Sequence, residues 1–230
     1  MIVAPPPPAA LAVSPVRVEL AGAGSATIRL SSSRGAPTVV DGARAGFAID
    51  VNGRPRVAPL RDRGVQVLVR PASFVLAPRS AATATIQVRV GPRASPGDHP
   101  SLVVFATRPR RSGGVGVRLR VGVVVVVRVP GAIVHRLRLA GVDLVRRTLI
   151  IGVRNLGNVV ERLDAASLRV RLLRGGRPVR RVPIPGRELL PGGRAVIRVA
   201  APPGRGRVVV ELHGGDGSTV RKVMRLRGGV

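Results

Sequence analysis

Hydrophobic and polar residues alternate along much of the chain, most clearly between Gly113 and Gly131. Valine or leucine occupies every odd position from Val115 to Val129, whereas glycine, arginine and only two valines occupy the even positions. Because successive side chains of a strand point to opposite faces, this period of two predicts one long β-strand with its apolar face on a core. Pro130–Gly131 is expected to end that strand.

Shorter alternating segments lie on both sides of the long strand. Thr83–Val90 and Leu168–Leu173 are clear examples, and Gly/Pro-rich turns such as Asn52–Gly53 and Arg174–Arg177 separate the segments. The pattern gives roughly seven short strands in each half and no amphipathic helix of convincing length. It predicts an all-β protein made of two tandem immunoglobulin-like β-sandwiches.

The predicted domains are residues 13–130 and 131–230, preceded by a Pro/Ala-rich leader at residues 1–12. Ala10–Ala12 resembles a signal-peptidase site without a complete hydrophobic region before it, which predicts the remnant of an export signal and an extracytoplasmic location. No stretch of 18 apolar residues free of charge occurs, so no membrane span is predicted.

Composition limits the core and the chemistry. Hydrophobic residues make up 45% of the chain, but Phe47, Phe74 and Phe105 are its only aromatic residues, so the core must be aliphatic. The absence of cysteine excludes disulfides and thiolate metal sites. The net charge of +28 predicts salt-dependent attraction to polyanions, although codon bias towards arginine explains the same composition.

Val124 and Val126 interrupt the polar side of the long strand and make it apolar on both faces there. One interpretation is a surface that adds a strand to a partner's sheet, formed by Val123, Val124, Val125, Val126 and Val127. The alternative is burial of these valines under a neighbouring domain or loop.

Nine arginines have the outward parity of their strands, among them Arg198 and Arg207. The other seven form the candidate polyanion-binding set: Arg17, Arg29, Arg89, Arg118, Arg120, Arg169 and Arg171. The alternative is a solvated basic face that prevents aggregation between sheet edges. Specific nucleic-acid binding is not expected, because the chain has no Trp or Tyr for base stacking and no basic recognition helix.

No catalytic motif occurs in the sequence, and His99, His135 and His213 are too dispersed to predict a metal site. We therefore predict no enzyme activity, no catalytic residues, no metal and no cofactor.

Two groups of residues resemble known families. Pro71–Pro78, followed by alternating Ile86, Val88 and Val90, and the Ser95–His99 turn resemble the PapD-like sandwiches, with Arg79 where those domains usually have glycine. In the second half, Val153–Asn158 with Leu190–Gly192 is similar to bacterial surface immunoglobulin-like modules.

The PapD-like resemblance implies either periplasmic pilus chaperones or the surface proteins that bind WxL proteins and peptidoglycan. We predict a non-enzymatic cell-envelope module that contacts a surface protein or an anionic wall polymer. Two alternatives stay open: a pilus-type assembly chaperone that acts by donor-strand addition, and a structural spacer within a larger surface protein.

Overall fold

The computed structural model describes residues 11–60, 64–109, 117–201 and 205–226. These residues form 19 β-strands and no helix, which confirms the predicted all-β fold. The first ten residues of the predicted leader and residues 113–116 of the predicted long strand lie outside the described ranges.

The chain divides into two compact units. Unit 1 comprises Met1–Phe47, Val57–Ser95 and His99–Pro130, and unit 2 comprises Ala48–Arg56, Pro96–Asp98 and Gly131–Val230. The main passage from one unit to the other is therefore at Pro130–Gly131.

Ten strands precede Pro130: β1 (Leu11–Ser14), β2 (Arg17–Ala21), β3 (Gly24–Ser32), β4 (Thr38–Ile49), β5 (Pro55–Ala58), β6 (Val65–Arg70), β7 (Ser73–Leu76), β8 (Ala81–Val90), β9 (Gly97–Thr107) and β10 (Arg120–Val129). They form one sheet of order β1-β3-β8-β6 and a second of order β2-β10-β9-β4-β5, with β7 paired to β4. β1 and β2 belong to different sheets, although only Pro15 and Val16 separate them.

The core of unit 1 lies between the inner faces of these two sheets. Alternate residues of each strand enter it, for example Ile28 and Leu30 of β3, both fully buried. Phe105 of β9 is its one fully buried aromatic residue, and most of the remaining volume is valine, leucine and isoleucine. Valine is stiff and favours strands, so the composition suits this architecture.

The predicted leader overlaps β1 by two residues. Leu11 pairs with Ser32 of β3 and Ala12 pairs with Ser31, and the Leu11 side chain belongs to the core of unit 1. The last two residues of the predicted leader are therefore part of the β1-β3 strand pair of unit 1.

Nine strands follow: β11 (Leu137–Val145), β12 (Thr148–Asn155), β13 (Glu161–Leu163), β14 (Leu168–Arg174), β15 (Arg177–Val182), β16 (Arg187–Leu189), β17 (Arg194–Ala200), β18 (Gly206–His213) and β19 (Thr219–Leu226). They form a three-stranded sheet (β11-β12-β17), a four-stranded sheet (β15-β14-β18-β19) and a β13-β16 pair. Inward residues such as Ile151, Val170 and Val210 form one aliphatic core.

Two hairpin turns of unit 2 have different sequences. Gly175 and Gly176, between β14 and β15, both have positive φ, as the predicted Arg174–Arg177 turn requires. Arg146 and Arg147, between β11 and β12, also have positive φ, at 42° and 63°. Arginine therefore occupies a turn in which asparagine and glycine are usual.

Replacing Arg79 by glycine is expected to stabilise the protein by about 0.5–1 kcal/mol, because Arg79 has a φ of 49° and glycine adopts this conformation at little cost. Its side chain is exposed, and its backbone N–H, which donates to the Arg34 carbonyl at 2.9 Å, would be kept. Urea unfolding followed by far-UV circular dichroism measures the change. An unchanged or lower unfolding free energy would show that the arginine side chain stabilises the turn.

Candidate functional site

Strand β10 has a neighbour on each side, but one neighbour accompanies only half of it. β9 lies on one side and β2 on the other. β2 runs parallel to β10 and pairs Arg17–Ala21 with Val124–Arg128. The N-terminal part of β10, Arg120–Val123, precedes this ladder.

This pairing corrects the predicted position of the partner-binding edge, which was Val123–Val127. The backbone of Val124–Val127 already pairs with β2, so a partner strand cannot add there without displacing it. The side chains of Val123, Val125 and Val127 are fully buried, Val126 is 6% exposed, and Val124 is half-buried. The alternative of burial therefore describes these valines better than an open edge does.

Arg120–Val123 retains an open edge on the β2 side. The Val124 N–H donates to the Val16 carbonyl at 2.9 Å, and the Arg128 carbonyl accepts from the Gly22 N–H at 2.8 Å, so even-numbered backbone groups point towards β2. By the alternation of a strand, the N–H and C=O groups of Arg120 and Gly122 point the same way. Among the described residues, neither has a backbone partner on that side.

The side chains along this edge alternate between apolar and positively charged. Val117 is 58% exposed, whereas Leu119 and Val121 are half-buried and pack against the core of unit 1. Arg118 and Arg120 lie between them and are exposed. We call Val117–Val123 the β10 edge segment.

Thr107 fixes the β10 edge segment to β9. Its backbone N–H donates to the Leu119 carbonyl at 3.0 Å, and its hydroxyl accepts from the Leu119 N–H, also at 3.0 Å. Since Thr107 is buried, these bonds are shielded from water. Leu119 is thus fixed beside β9, and Arg120–Val123 follow it as the first residues of β10, a suitable template for strand addition.

The seven candidate arginines do not form one surface. Arg29 and Arg89 are exposed on the β1-β3-β8-β6 sheet, where Arg29 pairs with Thr83. Thr83 and Arg89 lie roughly 20 Å apart along β8. Arg17 forms an ion pair with Glu19, while Arg118 and Arg120 belong to the β10 edge segment.

Arg169 and Arg171 lie on the outer face of the β15-β14-β18-β19 sheet in unit 2. The register places four further arginines on this face, because directly paired residues share a side of the sheet. We call this surface the basic face, and its arginines are Arg169, Arg171, Arg181, Arg207, Arg221 and Arg225.

One carboxylate, Glu211, lies within the basic face. It pairs in register with Arg169 and Arg221, and both of its oxygens accept from Arg171 at 2.6 Å. Arg181, Arg221 and Arg225 were not among the arginines predicted from the sequence to lie on an outward face. Their strand parity is visible in the sequence, but their neighbours are set by strand pairing.

Two histidines outside these surfaces make hydrogen bonds within the fold. The His135 imidazole Nδ1 lies 2.9 Å from a Glu161 carboxylate oxygen, and His99 Nε2 lies 2.7 Å from the Ser95 carbonyl. Within the described ranges, no cluster of three or more His, Asp or Glu residues could hold a metal ion. The same ranges contain no helix that could span a membrane.

Asp41 and Arg108 form an ion pair with two hydrogen bonds, each 2.8 Å long. The Arg108 hydrogen bond, assisted by one from Ser73, lowers the pKa of the Asp41 carboxyl to about 2. Asp41 pairs with Ala106 on β9, so the ion pair joins β4 to the residue that follows β9.

No family model and no curated protein matches this sequence. Solved structures of fimbrial chaperones do match the fold. The class 5 fimbrial chaperone CfaA has a TM-score of 0.54 at 12% identity, covering 95% of this chain and 99% of that one. The E. coli chaperone DraB has a TM-score of 0.50 at 14% identity, with 96% and 97% covered.

A third similar structure is a complex. It contains the CsuC chaperone with the CsuE tip adhesion subunit from Acinetobacter baumannii, with a TM-score of 0.52, 9% identity, and 94% and 97% of the two chains covered. The protein therefore has the two-domain, PapD-like β-sandwich fold of these chaperones.

Asp41→Asn is expected to destabilise the protein at pH 5 and to have a much smaller effect near pH 2. The folded-state pKa lies below the ordinary value of 3.8, so the ionised carboxylate stabilises the fold above about pH 4. That contribution decreases as the pH falls from about 4 towards 2, where Asp41 is almost fully protonated in the unfolded state and about half protonated in the folded state.

The check is the melting temperature of both proteins at intervals between pH 2 and pH 6. Asp143→Asn is the control, since Asp143 is exposed and has no ion pair among the described residues. A wild-type-to-mutant difference that persists unchanged at pH 2 would contradict the ion-pair explanation.

Proposed function

We propose that this protein is an exported assembly chaperone that binds a β-sandwich subunit by strand addition at the β10 edge segment. The observation that carries the proposal is the end of the β2 ladder at Val124, which leaves the Arg120 and Gly122 backbone groups open. A strand of the subunit would continue the sheet where β2 stops. The protein would act as a binding protein and not as an enzyme.

The side chains of the segment favour this mode of binding. Val117, Leu119 and Val121 alternate with exposed arginines, so an added strand would have an apolar row on one side. Main-chain hydrogen bonds supply affinity in strand addition, and pockets for alternate side chains supply specificity. We expect the subunit to offer apolar residues at every second position.

The similar structures support a protein partner of this kind. One of them is the complex of a chaperone with a tip adhesion subunit, and two others are the E. coli chaperone DraB and the class 5 fimbrial chaperone CfaA. At 9–14% identity these structures establish the fold, and the assignment of the same role to this chain is our proposal. An extracytoplasmic location follows from the proposed role.

Val117→Asp is expected to weaken subunit binding at least tenfold, because an exposed valine would become a charge inside the added sheet. The probe is each β-sandwich protein encoded beside this gene, expressed with it in exported form and measured by affinity capture and yield. The stability of the chaperone itself should hardly change, since Val117 is 58% exposed.

Val57→Asp is the matched control, because Val57 is 66% exposed on β5 at the other end of the same sheet. The proposal fails if none of the co-expressed proteins is retained, or if Val117→Asp and the wild type retain them equally. A loss caused equally by Val57→Asp would show a general effect of charge.

A second candidate function is that of a surface module that contacts an anionic wall polymer, as the WxL- and peptidoglycan-binding resemblance implies. The observation in its favour is the basic face of unit 2, with six arginines around one glutamate. Such a face would attract a linear polyanion through its charge.

If this function holds, Arg207→Gln/Arg225→Gln should reduce co-sedimentation with wall sacculi that carry their anionic polymers. Wild-type retention should fall roughly tenfold or more between 50 and 200 mM salt, as expected for several ionic contacts. Arg29→Gln/Arg89→Gln removes the same charge elsewhere and is the control. Equal losses in both double variants would leave only a generic effect of the net charge, and the second candidate would fail.

A further inference from the structure

A cavity of about 270 Å³ opens beside strand β14 in unit 2. Its lining combines apolar residues with three arginines: Ala165, Leu168, Arg169, Val170, Arg171, Arg181, Val182 and Pro183. β15 ends at Val182, which pairs with Val170, whereas β14 extends further towards Leu168. The cavity therefore lies where the edge strand leaves the sheet.

The wall of the cavity reaches the core. Leu168 is fully buried and Val170 is 2% exposed, and both belong to the hydrophobic core of unit 2. Val182 packs against the same core. The accessible apolar surface of the lining comes from Ala165 and Pro183, which are exposed, and Val182, which is half-buried. An aliphatic group placed in the cavity would contact these side chains and lose part of its contact with water.

The charges around the cavity are unbalanced. Arg171 and Arg181 lie directly opposite each other across β14 and β15, an arrangement that normally destabilises a strand pair. Glu211 neutralises Arg171 through two hydrogen bonds, but among the described residues Arg181 has no hydrogen bond or ion pair. The Arg171 Nε atom is also buried without an acceptor.

A β-bulge creates this juxtaposition. The register shifts by one residue between Leu172 and Leu173, after the regular pair of Arg174 with Arg177. Without the shift, Arg181 would pair with Val170 and face the core. The bulge instead places Val182 opposite Val170 and moves Arg181 to the face of Arg171.

We propose that this cavity binds a small amphipathic anion, namely an aliphatic carboxylate whose chain enters the cavity and whose carboxylate pairs with Arg181 beside Arg171. A carboxylate would relieve the repulsion between the two guanidinium groups and accept their hydrogen bonds. The cavity is at the small end of ligand pockets, so the ligand should be an acid of medium chain length, about eight carbons, and not a long-chain fatty acid.

The site is independent of the proposed chaperone function, since its lining residues are all in unit 2 and the β10 edge segment is in unit 1. A protein that failed every test of strand addition could still bind the acid.

The test uses the full chain and three probes in isothermal titration calorimetry: octanoate, 1-octanol and acetate. Octanoate should bind at least tenfold more tightly than either of the others, because octanol lacks the charge and acetate lacks the chain. Methyl NMR shifts on adding octanoate should be largest at Leu168, Val170 and Val182.

Arg181→Gln should weaken octanoate binding at least tenfold while leaving the fold intact, since Arg181 is exposed on an edge strand. Arg194→Gln, an exposed arginine on β17 away from the cavity lining, is the matched control and should bind as the wild type does. Ala165→Phe, which fills the mouth of the cavity, should abolish binding without removing a charge.

Three outcomes would overturn the proposal. If octanol bound as tightly as octanoate, the arginines would have no role in binding. If acetate bound as tightly as octanoate, binding would need only attraction to the positive charge. Unchanged octanoate binding in both Arg181→Gln and Ala165→Phe would place any bound acid elsewhere on the protein.

Discussion

Four valines of β10 determine where the exposed edge of unit 1 lies. Val123, Val125, Val127 and Val129 are buried in the core between the two sheets, so the strand cannot slide by one residue without turning these side chains towards solvent. With β10 fixed in this way, the length of β2 decides how much of its edge is covered. The uncovered part, Arg120–Val123, is already a strand in the absence of a partner, which lowers the entropic cost of adding another strand.

The four-stranded sheet of unit 2 has an aliphatic inner face and an arginine-rich outer face. The inner face belongs to the core of unit 2, while the outer face carries the six arginines of the basic face. Arginine can lie on a sheet because its long aliphatic stem covers apolar surface while the guanidinium stays in water. Val209, 1% exposed although it points outward beside Arg171, is consistent with such covering.

Much of the fold could be predicted from the sequence because alternation is a local property. The period of two identified β8, β10 and β14, and the glycines of the Arg174–Arg177 turn identified a hairpin. The full length of β4 could not be predicted, because its residues Asp41–Ala45 are small or charged and break the alternation. Arg44 points inward there and binds the Val65 carbonyl at 2.6 Å.

The candidate sites depended on contacts that periodicity does not encode. The residues of β2 alternate between apolar and charged, but its parallel pairing with β10, roughly a hundred residues later, has no local signal. The position of the open edge was therefore predicted a few residues too far along the chain. Similarly, counting residues back from the turn would place Arg180 opposite Arg171, and only the bulge brings Arg181 there.

The distribution of the three phenylalanines makes the two units optically different. Phe47, Phe74 and Phe105 all belong to unit 1, and unit 2 contains no aromatic residue at all. Near-ultraviolet circular dichroism of the free protein therefore reports on unit 1 alone, whereas the far-ultraviolet signal reports on both units. Because the chain has neither tryptophan nor tyrosine, it is almost transparent at 280 nm, and any absorbance or fluorescence there in a complex belongs to its partner.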